Sequence, residues 1–250
     1  MGTNTASSLY YSLKAYNDTL TVANSLLITD ALRNCLYNVG HAVVWGTTAS
    51  STNFKAQYVQ LVSVRSSVAS LPSKLAIDAY TVGFPATFGS ELHATGSVVD
   101  IVYVLLDKEI NPYYWSNASR DLNSDSVDLA VFEVADAQAA KTEVQVSGLS
   151  KGVDITLPLV DAWPYLECVY WDEDSLDWSA SGCKTVFNKT NPLSVNCVCD
   201  HFTTFSVRSL VAPARPTGPG AKPVVPGRLV DRELASFPVC SNLKILINFK

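Results

Sequence analysis

Four cysteines, Cys168, Cys183, Cys197 and Cys199, lie close together in the last third of the chain. Cys197 and Cys199 are two residues apart, so on a β-strand their side chains point to the same face. A bond between these two is unfavourable, because neighbouring positions on one face rarely match the Cα spacing of a disulfide. The spacing therefore favours Cys168–Cys197 with Cys183–Cys199, or the crossed pairing. A bridge that closes a loop of about thirty residues contributes roughly 3–4 kcal/mol.

Two other uses of these cysteines are less consistent with the spacing. Cys183, Cys197, Cys199 and His201 are a possible Cys3His zinc set, but structural zinc sites usually have two to four residues between paired cysteines. A thioredoxin-like redox site needs Cys-x-x-Cys at the start of a helix, a pattern that is absent here. We therefore predict neither a metal nor a cofactor.

From about Phe54 onward, the helical period gives way to short runs separated by Gly, Pro, Asn and Asp, and the first two of these runs alternate between apolar and polar residues. The runs are NFKAQYVQLVSVRSSV, LAIDAYTVGFP, GSVVDIVYVLLDKE, SVDLAVFEVAD, TEVQVSG and VDITLPLV. Short strands at regular spacing are typical of a β-sandwich. The sequence thus predicts a mainly β fold, with a sandwich over residues 51–210.

Helical spacing precedes these strands, and a different composition follows them. Apolar residues three, four or seven apart predict two helix faces, formed by Leu9, Leu13, Tyr16, Leu20 and Leu27, and by Leu32, Leu36, Val39 and Val43. Residues 1–50 are therefore predicted to be a short helical region, in which Cys35 is a buried thiol. Residues 211–250 are predicted to be a Pro/Gly-rich linker and tail, and Cys240 in it has no predicted partner.

Charge and sequence signals bear on the environment of the chain. A formal net charge of −5 gives no electrostatic reason to expect nucleic acid as a partner. We expect neither a signal peptide nor a transmembrane segment within the chain, since no basic n-region and no run of about eighteen apolar residues occurs. Three N-glycosylation sequons, at Asn17, Asn117 and Asn188, and an even number of cysteines favour an extracellular or cell-surface location.

The segment His201-Phe202-Thr203 carries the chemistry of a self-cleaving peptide bond. A threonine hydroxyl can attack the carbonyl carbon just before it, here that of Phe202, while a nearby base takes its proton. His201 is two residues before Thr203 and would share its face on an extended strand. The same segment also fits an ordinary terminal strand, because Thr203, Phe205 and Val207 alternate with polar residues.

The cysteine-rich segment closely resembles the GPS motif, the proteolysis-site segment that ends a GAIN domain. GAIN domains are found in adhesion-type seven-helix receptors and in polycystin-like proteins. The shared elements are YWD after Cys168, DWSASGC ending at Cys183, and CVCDHFTTFSV from Cys197, so that the motif spans residues 168–207. The family usually has Leu where this chain has Phe202, and a membrane segment where this chain has the Pro-rich linker.

The resemblance implies a subdomain B-like sandwich preceded by a reduced subdomain A-like helical region. It implies the disulfides Cys168–Cys197 and Cys183–Cys199, with His201 as general base, Thr203 as nucleophile and cleavage between Phe202 and Thr203. Trp171 and Trp178 would either pack over the disulfides or be ordinary core residues, and we predict the second, purely structural role. Phe205 and Val207 are predicted to hold the last strand in the sheet.

Two functions are compatible with this sequence. The first is an extracellular domain that cleaves itself once, whose fragments stay associated and whose new N-terminal strand is a potential tethered ligand. The second is a non-cleaving, disulfide-stabilised structural or adhesion module of a cell-surface protein. In either case a membrane-spanning region or a membrane protein is the expected partner. Activity on other substrates is not expected, since no Gly-x-Ser-x-Gly or His-Glu-x-x-His occurs.

Overall fold

The computed structural model describes residues 22–45, 51–55, 59–108, 111–113, 116, 119, 121–134, 142–162 and 164–210. Within these ranges a long helix precedes two antiparallel sheets that pack face to face. The predicted mainly β fold, a sandwich preceded by a helical region, is confirmed. The predicted linker and tail, Cys240, Asn17 and Asn117 lie outside the described residues.

The elements follow the strand pattern of the sequence closely. In chain order they are α1 (Val22–Trp45), β1 (Ser51–Lys55), β2 (Val59–Ser67), β3 (Lys74–Ile77), β4 (Tyr80–Gly83), α2 (Phe88–Glu91), β5 (Val98–Leu106), β6 (Ser126–Glu133), β7 (Thr142–Glu143), β8 (Val153–Pro158), β9 (Leu166–Asp172), β10 (Asp177–Ser179), β11 (Cys183–Phe187), β12 (Ser194–Cys199) and β13 (Thr204–Ser209). The first sheet has the order β1-β2-β5-β6-β13-β9-β10, with β7 paired to β6. The second has the order β11-β12-β8-β4-β3.

Strand β5 is buried on both faces, and this explains its nearly continuous apolar sequence. Ile101, Tyr103 and Leu105 point into the core between the sheets. The alternate residues Val102, Val104 and Leu106 pack with the helix residues Leu32 and Leu36 on the outer face. Because successive side chains of a strand point to opposite faces, one strand can serve both cores. Helix α1 therefore covers the outer face of the first sheet.

Leu27 is 55% exposed, because α1 contacts the sheet chiefly through Leu32, Leu36 and Tyr37. One prediction about the helical region is wrong. Cys35 was expected to be a buried thiol but is disulfide-bonded and only half-buried. A residue next to Leu36 is turned about 100° around the helix axis, which places it at the border of the buried stripe. No helix among the described residues combines the length and apolar character that crossing a membrane requires.

Candidate functional site

Two disulfides hold the strands that lead into the candidate site. Cys168 on β9 is bonded to Cys197 on β12 and thereby links the two sheets, with the Cα atoms 5.6 Å apart. Cys183 on β11 is bonded to Cys199, its direct cross-strand partner on β12. This is the pairing that the resemblance implies. Cys197 and Cys199 share the inward face of β12, yet one bond crosses the sandwich and the other joins neighbouring strands.

The last strand, β13, lies in the middle of the first sheet. It pairs with β6 through Thr204 and Phe205, and with β9 from Phe205 to Ser209. Phe205 and Val207 are fully buried in the core between the sheets. Thr204 and Ser206 are also fully buried, on the opposite face, although an alternating strand usually exposes one face. The segment before β6 covers that face through Tyr113 and Ser124.

The peptide bond between Phe202 and Thr203 is held on both sides by backbone hydrogen bonds. The Phe202 amide donates to the Val146 carbonyl at 3.0 Å, and the Leu129 amide donates to the Thr203 carbonyl at 3.2 Å. One of these hydrogen bonds comes from the segment after β7 and the other from β6. Together they fix Phe202 and Thr203, the residues on either side of the peptide bond. Phe202 and Thr203 are half-buried, so this peptide lies at the edge of the sandwich.

His201 is packed tightly and has an asymmetric set of polar contacts. Its Nδ1 lies 2.8 Å from Oδ1 of Asp200, and its Nε2 is buried without a hydrogen-bond partner among the described residues. Its ring contacts the rings of Tyr170 and Phe205, with centroids 4.2 and 5.5 Å apart. A buried ring nitrogen without a partner is unusual, because most buried polar atoms form hydrogen bonds.

A second carboxylate, that of Asp172 at the end of β9, belongs to the same neighbourhood. Hydrogen bonds from the Ser175 hydroxyl and the Asp174 amide lower its pKa, and the charge of His201 contributes in the same direction. Asp172 is therefore ionised at neutral pH. The polar end of the site thus carries two acidic side chains beside one imidazole.

The Thr203 hydroxyl forms its hydrogen bond with a residue other than His201. The hydroxyl donates to the Trp171 carbonyl oxygen at 3.2 Å. The structure therefore brings the predicted base and nucleophile into one turn without a hydrogen bond between them. A rotation about the Cα–Cβ bond of Thr203 changes where the hydroxyl points without moving the backbone.

Both tryptophans are buried core residues, and they lie on the face of the sheet opposite to the disulfides. Trp171 and Trp178 form a separate buried cluster with Tyr113 and Val169. Cys168 and Trp171 are three residues apart on β9, and an odd separation places side chains on opposite faces of a strand. The Trp178 indole nitrogen donates to the Ser119 hydroxyl at 2.8 Å, which satisfies its buried donor.

Tyr113 joins this tryptophan cluster to the start of β13. Its ring stacks on Trp171 at a centroid distance of 4.2 Å, and its hydroxyl lies 3.1 Å from Oγ1 of Thr204. Burial raises the pKa of Tyr113, so the phenol remains protonated and available for hydrogen bonding. The signal in the sequence was weak, because Tyr113 lies between the predicted strands and outside the cysteine-rich segment.

Phe202 occupies an aromatic pocket. Its ring is stacked on Phe88 of α2 at 5.3 Å and lies 6.1 Å from Phe84, which is itself stacked on Phe88. The side chain that differs from the usual Leu of the GPS motif is thus matched by two aromatic neighbours. Sequence reasoning did not identify Phe84 and Phe88, because they come from a distant turn of the chain.

Helix α1 reaches the same region through Arg33. Arg33 bonds to Asp128, the cross-strand partner of Thr204, at 3.2 Å and to Glu173 at 2.7 Å. Burial is the largest single effect and disfavours the charge of Arg33, but Asp128, Tyr113 and Tyr37 together outweigh it, so the pKa of Arg33 is raised. Arg33 therefore remains charged and connects the helix to β6 and to the turn after β9.

The family follows from a comparison with protein-family models. The model described as GPS: GAIN subdomain B matches residues 44–212, which is more than half of the chain. The chain belongs to the GAIN subdomain B family. Among solved structures, the full extracellular region of zebrafish Gpr126/Adgrg6 is similar at 14% identity with a TM-score of 0.43. That likeness covers 62% of this chain and 23% of the zebrafish chain.

In this GAIN subdomain B, the predicted site residues fall into three places. His201, Phe202 and Thr203 form the turn that enters β13, with Phe205 and Val207 in the core just beyond it. Asn188 lies apart from them, in the turn between β11 and β12, where its side-chain oxygen accepts hydrogen bonds from Thr190.

Proposed function

We propose that this domain cleaves its own backbone once, between Phe202 and Thr203. The observation that carries the proposal is a peptide bond held on both sides, preceded by a buried imidazole nitrogen that has no hydrogen-bond partner within the described ranges. Holding reacting groups in place can contribute an effective concentration that an exposed segment lacks. The sequence match of residues 44–212 to the GAIN subdomain B model supports the same reaction.

The reaction proceeds through an N-to-O acyl shift. The Thr203 hydroxyl turns from the Trp171 carbonyl towards the carbonyl carbon of Phe202, and His201 accepts its proton as the C–O bond forms. The C–N bond then breaks and the Thr203 nitrogen takes up a proton, which leaves an ester between Phe202 and the Thr203 oxygen. Water hydrolyses the ester, so the products are a carboxylate at Phe202 and a free amine at Thr203.

The two fragments stay together after cleavage because β13 is bound on both edges and both faces. Backbone hydrogen bonds join it to β6 and β9, and the Val207 carbonyl accepts from the Asn123 amide at 2.7 Å. Burying Phe205 and Val207 contributes roughly 1.5–3 kcal/mol each. The strand that begins at Thr203 is then a potential tethered ligand, released only when force or a partner extracts it from the sheet.

The setting of the domain is proposed to be extracellular or at the cell surface. Two disulfides within the described sandwich support an oxidising compartment. The partner after cleavage is the domain's own C-terminal strand, and a membrane-spanning region or membrane protein is the expected recipient of the ligand.

A second candidate function, a non-cleaving structural module, is favoured by one specific observation. The Thr203 hydroxyl is engaged with the Trp171 carbonyl and not with His201. If that hydrogen bond persists, the nucleophile is not activated and the disulfides and the buried strand serve stability alone.

The test is a comparison of the wild-type chain with Thr203→Ala and Thr203→Ser. After expression in a secretory host, we expect two wild-type bands on a denaturing gel, with the smaller fragment beginning at Thr203 by mass spectrometry. The fragments should co-elute on a native sizing column. Thr203→Ala removes the attacking oxygen and leaves a single band, whereas Thr203→Ser keeps an attacking hydroxyl and still cleaves. A single band for the wild type and for Thr203→Ser alike would establish the structural module instead.

A further inference from the structure

We infer that Asp200 is a positioning residue that sets the tautomer of His201 and keeps its Nε2 free to accept the Thr203 proton. A carboxylate only accepts hydrogen bonds at neutral pH, so the 2.8 Å contact with Asp200 places a proton on Nδ1. A neutral imidazole protonated on Nδ1 carries its lone pair on Nε2. The inference rests on the proposed self-cleavage and assigns it an additional residue.

The backbone of Asp200 is fixed on both sides, which makes its side chain a defined support. Its amide donates to the Gly182 carbonyl at 3.1 Å, and its carbonyl accepts from the Leu149 amide at 2.9 Å. The carboxylate is half-exposed, with 47% of the side chain accessible, and the imidazole beside it is 16% exposed. The pair therefore lies where water can solvate the carboxylate but hardly reaches the base.

Gly182 has no side chain and therefore leaves space for the contact between Asp200 and His201. Its φ of 73° is in the left-handed region, and a Cβ at this position would lie 2.5 Å from Oδ1 of Asp200 and 3.2 Å from Nδ1 of His201. The turn that contains Gly182 is thus packed directly on the atoms of the Asp200–His201 contact. A side chain here would have to displace the carboxylate.

The neighbouring disulfide ties the two halves of this arrangement together. Cys183 directly follows Gly182, Cys199 directly precedes Asp200, and the two cysteines are bonded to each other. A bond at this position holds the glycine turn against the carboxylate. The Cys183–Cys199 disulfide therefore supports the orientation of His201 in addition to the stability of the sheet.

The remaining surroundings of His201 leave Nε2 without a competing donor. The rings of Tyr170 and Phe205 enclose the imidazole and contribute no hydrogen bond to it among the described residues. The hydrogen bond to Asp200 orients the ring, and the lone pair on Nε2 remains available to accept the proton of the Thr203 hydroxyl. Asp200 touches neither the nucleophile nor the scissile carbonyl, so it acts through His201.

The direct test is nitrogen-15 NMR of the histidine rings in the full chain that carries Thr203→Ala, which stays intact. His201 is assigned by the loss of its signals in His201→Gln. We expect neutral His201 to be protonated on Nδ1 and unprotonated on Nε2, and we expect Asp200→Ala to remove this preference. A tautomer that is the same with and without Asp200 would overturn the inference.

The rate of cleavage provides the second readout. In pulse-labelled secretory translation, Asp200→Ala should slow the appearance of the Thr203 fragment about 10- to 100-fold, the equivalent of a charge-assisted hydrogen bond. Asp200→Glu restores a carboxylate and should recover part of the rate. Asp174→Asn, which removes a charge from the exposed turn after β9, is the matched control and should cleave like the wild type.

Three outcomes can be told apart. An Asp200-dependent tautomer together with slower cleavage in Asp200→Ala supports the inference. Equal rates for the wild type and Asp200→Ala overturn it. A wild type that does not cleave at all, with the tautomer still dependent on Asp200, refutes the proposed function but supports the assignment of the hydrogen bond.

Discussion

The described residues include two histidine–aspartate pairs, and the pairs differ in what else the aspartate binds. His41 of α1 contacts Asp100 of β5 through Nδ1 at 2.5 Å, and Arg65 of β2 donates two further bonds to the same carboxylate at 2.7 Å each. Asp100 is fully buried, so its charge is compensated by the arginine. Asp200 is half-exposed, and its described side-chain partner is His201 alone.

The comparison separates a structural pair from one suited to catalysis. The His41–Asp100 pair holds a helix on a sheet, and its arginine satisfies the carboxylate whether or not the imidazole is charged. The His201–Asp200 pair lies beside a held peptide bond and leaves one imidazole nitrogen without a partner in the described part of the chain. The contact between the two side chains is similar in both pairs. Their surroundings decide which of them can do chemistry.

The largest difference between the two pairs is expected in the cleavage rate when each imidazole is removed. His201→Ala should slow cleavage about 10²- to 10⁴-fold, because general-base assistance is lost. His41→Ala should leave the cleavage rate unchanged and instead lower the midpoint of thermal unfolding, since α1 loses a contact with the sheet. Pulse-labelled expression followed by denaturing gels measures both rates. Equal slowing in the two variants would contradict the assignment of separate roles.

When each carboxylate loses its charge, we expect the larger loss of stability at the His41–Asp100 pair, whereas the larger loss of cleavage rate is expected at His201. Asp100→Asn places an amide between the Arg65 guanidinium and His41, so buried donors face an NH2 group. It should lower the free energy of unfolding by about 3 kcal/mol. Asp200→Asn should lower it by less than about 1 kcal/mol, because exposed pairs contribute little. Urea unfolding in the Thr203→Ala background keeps each molecule in one piece. A larger loss for Asp200→Asn would reverse the interpretation of both pairs.

Substitution of two glycines tests whether cleavage depends on the space that Gly182 leaves beside Asp200. Gly182 and Gly148 have similar positive φ angles of 73° and 68°, but a Cβ at Gly148 would have no atom within 4 Å. Alanine at either position should cost roughly 1–3 kcal/mol of stability from the left-handed backbone. Only Gly182→Ala should also slow cleavage, by displacing Asp200 from His201. Normal cleavage in folded Gly182→Ala would show that the carboxylate can move without consequence.

Most strands could be predicted from their local sequence. Strands β2 and β4 fall within runs recognised from alternation, β5 falls within a continuous apolar run, and the burial pattern of β8 is strictly two-fold. Cys35 was predicted wrongly because a single cysteine in a helix gives no signal of a distant partner.

The His41–Asp100–Arg65 cluster was beyond prediction from the sequence. It depends on the register of β2 and β5, which places Arg65 opposite Asp100, and on the side of the sheet that α1 covers. Neither is a local property of the chain. The segment proposed for cleavage is visible in the sequence because its residues are consecutive, whereas the partners that hold it, Val146, Leu129 and Trp171, come from three other segments.

The smallest effect is expected at Phe202, which follows His201 but contacts neither carboxylate in the described structure. Phe202→Leu removes one ring from the stack with Phe88 and Phe84 and should lower stability by about 0.5–1.5 kcal/mol. Leucine retains an apolar side chain for the same pocket, so the cleaved fraction should be preserved or raised. Phe88→Leu is the matched control, because it removes the opposite ring of the stack and leaves the cleaved bond chemically unchanged.

If both variants cleave like the wild type, the aromatic pocket only supports the turn, and the His201–Asp200 pair retains its geometry without it. If Phe202→Leu cleaves less than Phe88→Leu, the ring of Phe202 itself helps to hold the scissile carbonyl, and the difference between the two histidine sites includes an aromatic contribution.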